Sequence, residues 1–149
     1  MASPRLQRGR VSQAEYIYSL TTVTLNRRRL FECNENALAV IEALRHVERS
    51  GCSYSLAWVV MPDHVHWLMQ LKKGTLPNCM NLLKSRSSRL LNAHLDCGPV
   101  WQRGYYDHAL RTDESLETAA QYIVANPIRA GLSVAPGEYP HAWSRWPVW

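Results

Sequence analysis

Two histidines one residue apart, His64 and His66, are the side chains of this sequence best suited to hold a metal ion. Residues 64–71 alternate with the period of two that is typical of a β-strand, so both imidazoles share one face. The opposite face is wholly apolar and carries Val65, Trp67, Met69 and Leu71. Two neutral imidazoles side by side form half of a divalent metal site. His-x-His pairs also occur as ordinary polar positions on half-exposed strands, and the pair alone does not exclude that interpretation.

A tyrosine and an asparagine four residues apart, Tyr122 and Asn126, form the second group with chemical potential. They lie at the margin of an apolar stripe with helical spacing. Residues four apart project from the same side of a helix. The stripe consists of Leu116, Ala119, Ala120, Ile123 and Val124. Pro127 disfavours helical geometry at Asn126, which makes this alignment depend on how the helix ends. The alternatives are a tyrosine at the core boundary and an asparagine that caps the helix.

The pattern of strands and helices predicts an α+β fold in the order β-α-β-β-α-β-α. The first six elements match a ferredoxin-like split β-α-β antiparallel sheet with two helices over one face, and the added C-terminal helix carries the tyrosine. That last helix is then free to approach the histidine face. The predicted elements are strands at 16–25, 54–61, 64–71 and 105–111, a helix capped by Asn34 and ended by Ser50 and Gly51, a helix from 76 to about 95, and a helix capped by Thr112 and Asp113.

The length of 149 residues predicts one domain. We expect a flexible basic N-terminus at 1–15, a catalytic domain at 16–133 and an aromatic, proline-rich tail at 134–149 that either covers the sheet or lies over the cleft. The four cysteines form no Cys-x-x-Cys pair, which favours reduced thiols in the cytoplasm. No apolar run approaches the roughly 18 residues that span a bilayer, so we expect a soluble protein without membrane contact.

The net charge of +5 is concentrated in residues 72–111, which hold seven bases and two acids. A local excess of this kind is typical of a polyanion-binding surface, although a solvated basic surface is the alternative. The candidates for phosphate contact are Lys84, Arg86 and Arg89 on the second helix, with Arg103 and Arg129 nearer the cleft. Trp101, Tyr105 and Tyr106 are candidates for stacking on extruded bases, with core packing as their competing role.

Three stretches together resemble the REP-associated tyrosine transposases, a group of the single-tyrosine HUH nucleases. They are Met-Pro-Asp-His-Val-His at 61–66, Gly-Pro-Val-Trp-Gln-Arg-Gly-Tyr-Tyr-Asp at 98–107 and Tyr-Ile-Val-Ala-Asn-Pro-Ile-Arg-Ala-Gly-Leu at 122–132. The resemblance runs from about residue 16 to about residue 143.

This resemblance implies an enzyme that cuts and rejoins single-stranded DNA beside palindromic repeats through a 5′-phosphotyrosine. His64, His66 and Asn126 would be metal ligands for Mg²⁺ or Mn²⁺, and Tyr122 would be the nucleophile. The partner would be single-stranded or hairpin DNA, in the cytoplasm at the nucleoid. The REP-associated group implies a monomer, whereas related insertion-sequence enzymes leave a dimer open.

Two other classes of function remain compatible with these residues. One is a non-catalytic DNA- or RNA-binding module on the same scaffold, in which the histidines are incidental. The other is a protein that uses a metal only to stabilise its fold. The three hypotheses differ in whether a covalent protein-DNA adduct forms and whether loss of His64 unfolds the domain.

Overall fold

A computed structural model describes residues 15–111 and 114–147. Their helices and strands follow the predicted order, with two short 3₁₀ turns before the first helix. The strands are β1 (Ile17–Val23), β2 (Ser53–Met61), β3 (His64–Leu71), β4 (Tyr106–Ala109) and β5 (Ala142–Ser144); the helices are α1 (Asn34–Arg49), α2 (Leu76–Asn92), α3 (Leu116–Val124) and α4 (Asn126–Arg129).

The five strands form one antiparallel sheet in the order β4-β1-β3-β2-β5. The first four strands have the arrangement expected for the ferredoxin-like split β-α-β fold, which confirms the predicted fold class. The chain turns directly from β2 into β3 at Pro62 and Asp63, as predicted for a hairpin. The N–H groups of Phe31 and Thr24 donate to the carbonyls of these two turn residues and hold the turn in place.

One face of the sheet is covered by α1 and α2. The apolar side of β3, from Val65 to Leu71, packs there with residues of both helices in the main core. Helix α3 packs on the opposite face, where Ala120 and Ile123 contact a smaller cluster that includes Leu68. The prediction that the tyrosine helix approaches the histidine face is therefore confirmed.

The helix starts differ from the predicted caps. Cys33, not Asn34, occupies the N-cap position of α1, and its side chain makes no capping bond. Asn34 instead bonds through Oδ1 to Nε2 of His141 at 2.7 Å, so its side chain serves the tail rather than the helix end. The predicted cap at 112–113 lies outside the described residues. Ser115 accepts the capping hydrogen bond from the Thr118 N–H in α3.

The tail extends the sheet. Strand β5 pairs with β2, and the rings of Trp143 and Trp58 lie 6.0 Å apart. The Tyr139 hydroxyl donates to the Val60 carbonyl at 2.8 Å. Of the two alternatives for residues 134–149, the described part up to 147 covers the β2 edge. The edge of β2 is therefore paired and not exposed.

Candidate functional site

The two histidines lie side by side on the face of the sheet that α1 and α2 leave uncovered. Their rings are nearly perpendicular, with centroids 4.8 Å apart. In the antiparallel register His66 lies between Val59 and Thr21, while His64 lies between Met61 and Val23. Both rings sit on adjacent rows near one end of β3, next to the hairpin turn.

Each imidazole is held through its Nδ1 atom. The Oγ1 of Thr21 lies 2.8 Å from Nδ1 of His66. Nδ1 of His64 lies 2.7 Å from Oδ1 of Asp63. In the tautomer with the proton on Nδ1, these bonds leave both Nε2 lone pairs for a metal, the arrangement that second-shell partners impose on metal-binding histidines.

Burial and nearby positive charges keep His66 neutral, which is the form that can bind a metal. Burial, with the charges of His64 and Arg129, lowers the pKa of His66 to about 4. The ring is therefore neutral at physiological pH. Burial alone would raise the pKa of Asp63, but its bond with His64 and the charges of His64 and Arg27 outweigh burial and lower it. Asp63 thus remains an anion beside the His64 ring.

The donor set fits a divalent metal with open positions. No group of three or more His, Cys, Asp or Glu side chains gathers within residues 15–111 and 114–147. The two imidazoles would therefore need an amide oxygen, water or phosphate oxygens as further ligands. Such a mixed nitrogen and oxygen set is compatible with Mn²⁺ or Mg²⁺.

Tyr122 projects from the last turn of α3 and is 66% exposed. The guanidinium of Arg129 stacks on its ring, with Cζ 3.8 Å from the ring centroid. The same guanidinium is close enough to His66 to contribute to its lowered pKa. Arg129 therefore contacts the phenol ring of α3 and also lowers the pKa of a histidine on β3.

Asn126 is not aligned with Tyr122 by one continuous helix. Helix α3 ends at Val124, Ala125 takes the cap position, and α4 begins at Asn126. Pro127 lies in the first turn of α4, where its missing N–H costs nothing, so the chain restarts a helix there. The half-buried Asn126 stays a candidate ligand from this junction, without the shared helical face that its spacing predicts.

The basic residues of α2 are not brought to the histidines, because α2 covers the other face of the sheet. Nζ of Lys84 donates to the carbonyls of Gln102 and Gly104 at 3.1 and 2.6 Å, and burial lowers its pKa. Arg86 lies 3.9 Å from a carboxylate oxygen of Glu42. Lys84 thus holds the loop before β4, and the phosphate-binding role predicted for it stays a prediction. Of the three predicted residues on α2, Arg89 is the exposed one.

Two of the three predicted stacking residues are directed largely into the core. Trp101 is only 9% exposed, its Nε1–H donates to the Ser87 hydroxyl at 2.9 Å, and its ring lies 5.5 Å from that of Phe31. Tyr105 is half-buried against the main core, and burial together with the charge of Asp107 raises its pKa. Core packing, the competing role, therefore describes Trp101.

The third predicted stacking residue, Tyr106, is 50% exposed. It pairs with Thr21 across β1 and β4, so it lies on the histidine face in the same row as His66. Tyr106 and Arg103 line a cavity of about 140 Å³ together with Thr21. Period-two alternation along 105–109 could have separated Tyr106 from the inward Tyr105.

A larger cavity, of about 570 Å³, lies elsewhere. Its walls come from α1, β2 and the segment around Trp143, on the side of the α1 helix. It contains none of the predicted site residues. None of the helices described here is long and apolar enough to cross a bilayer.

Comparison with known proteins shows which family this chain belongs to. The family model described as IS200-like transposase matches residues 12–126. A REP-associated tyrosine transposase of Escherichia coli K12 is 26% identical over 139 residues, covering 83% of this chain and 82% of that protein.

Two solved structures resemble the fold. A REP-associated tyrosine transposase bound to a REP hairpin has a TM-score of 0.75 and 21% identity, with 89% of this chain and 79% of that chain covered. A protein of Deinococcus radiodurans described as a candidate transposase has a TM-score of 0.56 and 25% identity, with 79% and 95% covered. With the family model spanning most of the chain, this protein belongs to the IS200-like transposase family and, within it, resembles the REP-associated tyrosine transposases.

Proposed function

We propose that this transposase is a metal-dependent endonuclease and strand transferase that cuts single-stranded DNA beside hairpin repeats. The observation that carries the proposal is the pair of imidazoles on β3, each held at Nδ1 by Thr21 or Asp63. The hairpin-bound structural relative and the REP-associated relative support repeat hairpins as the substrate.

His64 and His66 would hold Mg²⁺ or Mn²⁺, with Asn126 as the candidate third ligand. A bound divalent cation would withdraw charge from a non-bridging oxygen of the scissile phosphate and orient the phosphorus. Thr21 and Asp63 fix the two rings before the substrate arrives, which limits the reorganisation that binding requires. Arg129, which stacks on the Tyr122 ring, would contribute a positive charge near the same phosphate.

Tyr122 would be the nucleophile. Its phenolic oxygen, losing its proton to water, forms a bond to phosphorus, and the bond from phosphorus to the 3′-oxygen breaks. The leaving 3′-oxygen takes up a proton and becomes a free hydroxyl, while the 5′-phosphate remains esterified to the tyrosine. A phenol is a good leaving group, so the reverse attack by a 3′-hydroxyl can rejoin a strand without an external energy source.

The test is formation of a covalent adduct between the protein and a repeat hairpin with a labelled single-stranded flank. With Mn²⁺ the wild type is expected to give a band that survives denaturing electrophoresis, and EDTA should abolish it. Tyr122→Phe removes the nucleophilic oxygen and should give no adduct. Tyr106→Phe is the matched control, because this second exposed tyrosine of the histidine face should be dispensable as a nucleophile.

An adduct that persists in Tyr122→Phe would contradict the assignment of the nucleophile. If the wild type binds the hairpin tightly but forms no adduct with either metal, the chain is a nucleic-acid-binding module on this scaffold. If His64→Ala unfolds the domain, the metal has a structural role. The proposal requires near-native melting of His64→Ala with loss of cleavage.

A further inference from the structure

The exposed phenol of Tyr122 has little packing to fix its ring. About two thirds of the residue is accessible, and α3 uses other residues, Ala120 and Ile123, for its buried contacts. An exposed tyrosine normally samples several rotamers on a nanosecond timescale. A nucleophile must instead be close to the phosphorus when DNA binds, so something must restrict this ring until the substrate arrives.

The residue that contacts the ring is Arg129, whose guanidinium carbon lies 3.8 Å from the ring centroid. The break at Ala125 and the restart of the helix at Asn126 bring Arg129 into this position in the last turn of α4. Gly131, at a φ of 78°, ends the turn immediately afterwards. The local backbone is therefore built so that a cation seven residues later lies over the phenol.

Arg129 is also a cation without a carboxylate partner in the described residues. Arg27 and Arg145 each form an ion pair, with Asp63 and Glu48, whereas Arg129 forms its stacking contact with Tyr122 instead. A guanidinium presents a planar fork of N–H donors that binds a phosphate through two hydrogen bonds. Arg129 is therefore available for a phosphate contact next to Tyr122.

We propose that Arg129 is a positioning residue that holds the Tyr122 ring in the free protein and moves to the scissile phosphate when DNA binds. This inference rests on the proposed function. Two charge-assisted hydrogen bonds from a guanidinium to phosphate are stronger than stacking on an exposed ring, so the incoming phosphate would displace the ring. The phenol is then released beside the phosphorus that it attacks.

The first test reads the ring itself and requires no catalysis. 3-Fluorotyrosine placed at position 122 gives a fluorine NMR signal that reports the stacking. In the free wild type the signal should differ from that in Arg129→Gln, because the guanidinium is gone. Addition of a hairpin with its single-stranded flank, without metal, should shift the wild-type signal toward the position seen in Arg129→Gln. Identical spectra of the two free proteins would overturn the proposal.

The second test separates positioning from binding. At saturating hairpin and Mn²⁺, Arg129→Gln should form the covalent adduct about tenfold or more slowly in a single turnover, since misplacing a reacting group has effects of this size. Hairpin affinity should change by no more than about threefold, as for one lost phosphate contact. Arg129→Lys keeps the charge without the planar fork, so its rate of adduct formation should lie between those of the wild type and Arg129→Gln.

Arg45→Gln on α1 is the matched control, because it removes the same charge from an exposed arginine on the opposite side of the sheet. Its adduct rate at saturating DNA should equal that of the wild type. An Arg129→Gln protein with a wild-type rate, or with a defect that saturating DNA cures, would overturn the positioning role. If the wild type forms no adduct at all, the proposed function fails, and the fluorine signals still decide whether Arg129 holds and releases the ring.

Discussion

The Thr21 hydroxyl holds the ring of His66, which we propose as a metal ligand. Its hydroxyl is the partner of Nδ1, and it lies directly across from His66 in the neighbouring strand. A hydrogen bond at one ring nitrogen fixes the tautomer and the orientation of the other. Thr21 would thus act on the metal through the histidine, without binding the metal itself.

We predict that Thr21→Val weakens Mn²⁺ binding by about 10- to 100-fold, because the valine preserves the shape and removes the hydroxyl. Isothermal titration calorimetry or the electron paramagnetic resonance signal of free Mn²⁺ measures this directly. Thr22→Val is the matched control. Its hydroxyl is buried on the other face and has no hydrogen-bond partner among the described residues, so the metal affinity should stay unchanged. An equal loss in both variants would contradict a specific role for Thr21.

Helix α2 shows how the packing of one element changes the roles of residues that the sequence groups together. Its lysine, arginines and serines form a basic, hydroxyl-bearing side in the sequence, which suggests contact with a DNA backbone. In the fold Ser87 is completely buried and accepts the Trp101 indole N–H, while Lys84 holds the loop before β4. These side chains anchor the segment that leads into β4.

Ser87→Ala should therefore lower the free energy of unfolding by about 1–3 kcal/mol, because the buried indole N–H loses its acceptor. Urea unfolding followed by circular dichroism measures the change. Ser88→Ala, at the adjacent half-buried position, is expected to have an effect near zero. A Ser87→Ala protein as stable as Ser88→Ala would show that the indole bond contributes little.

At the scale of the whole molecule, the tail is joined to the rest of the fold at several points. His141 is buried and bonds to Asn34 at the start of α1, while β5 continues the sheet beyond β2. Burial lowers the pKa of His141. The closure of the molecule by its tail should consequently depend on pH.

The sign follows from proton binding. In the unfolded chain a histidine takes up its proton near pH 6.5, whereas folded His141 resists protonation. Below that pH the unfolded state binds more protons, so the free energy of unfolding falls as the pH is lowered and is fully retained above it. His141→Gln replaces the imidazole with an amide that can still form hydrogen bonds. We predict that it reduces this acid-induced loss of stability.

Urea titrations between pH 8 and pH 5 check this expectation. The wild type should keep a steeper decline than His141→Gln, and part of the decline should remain because His66 is also held neutral by burial. His46→Gln, a histidine on α1 outside the tail contact, controls for the removal of one histidine. Parallel curves for wild type and His141→Gln would show that the tail contact is not titrating in this range.

The sequence by itself predicted the helices and strands and the candidate site residues that they carry. Period-two alternation placed both imidazoles on one face of β3, helical spacing placed Tyr122 on α3, and the order of elements predicted the ferredoxin-like sheet that the structure confirms. These patterns are local, because side-chain direction repeats with the period of a strand or a helix. The motifs around His64, Tyr122 and residues 98–107 also indicated the family that the comparisons confirm.

Only the tertiary structure decided which of these side chains meet. The Thr21 hydroxyl reaches His66 across a separation of 45 residues, and the face that α2 covers depends on packing and not on the pattern of α2 itself. Of the aromatic residues predicted to stack, Trp101 packs in the core and Tyr106 stands exposed, since an aromatic residue beside a basic segment can do either. Burial and cross-strand register are properties of the assembled sheet, and no local pattern contains them.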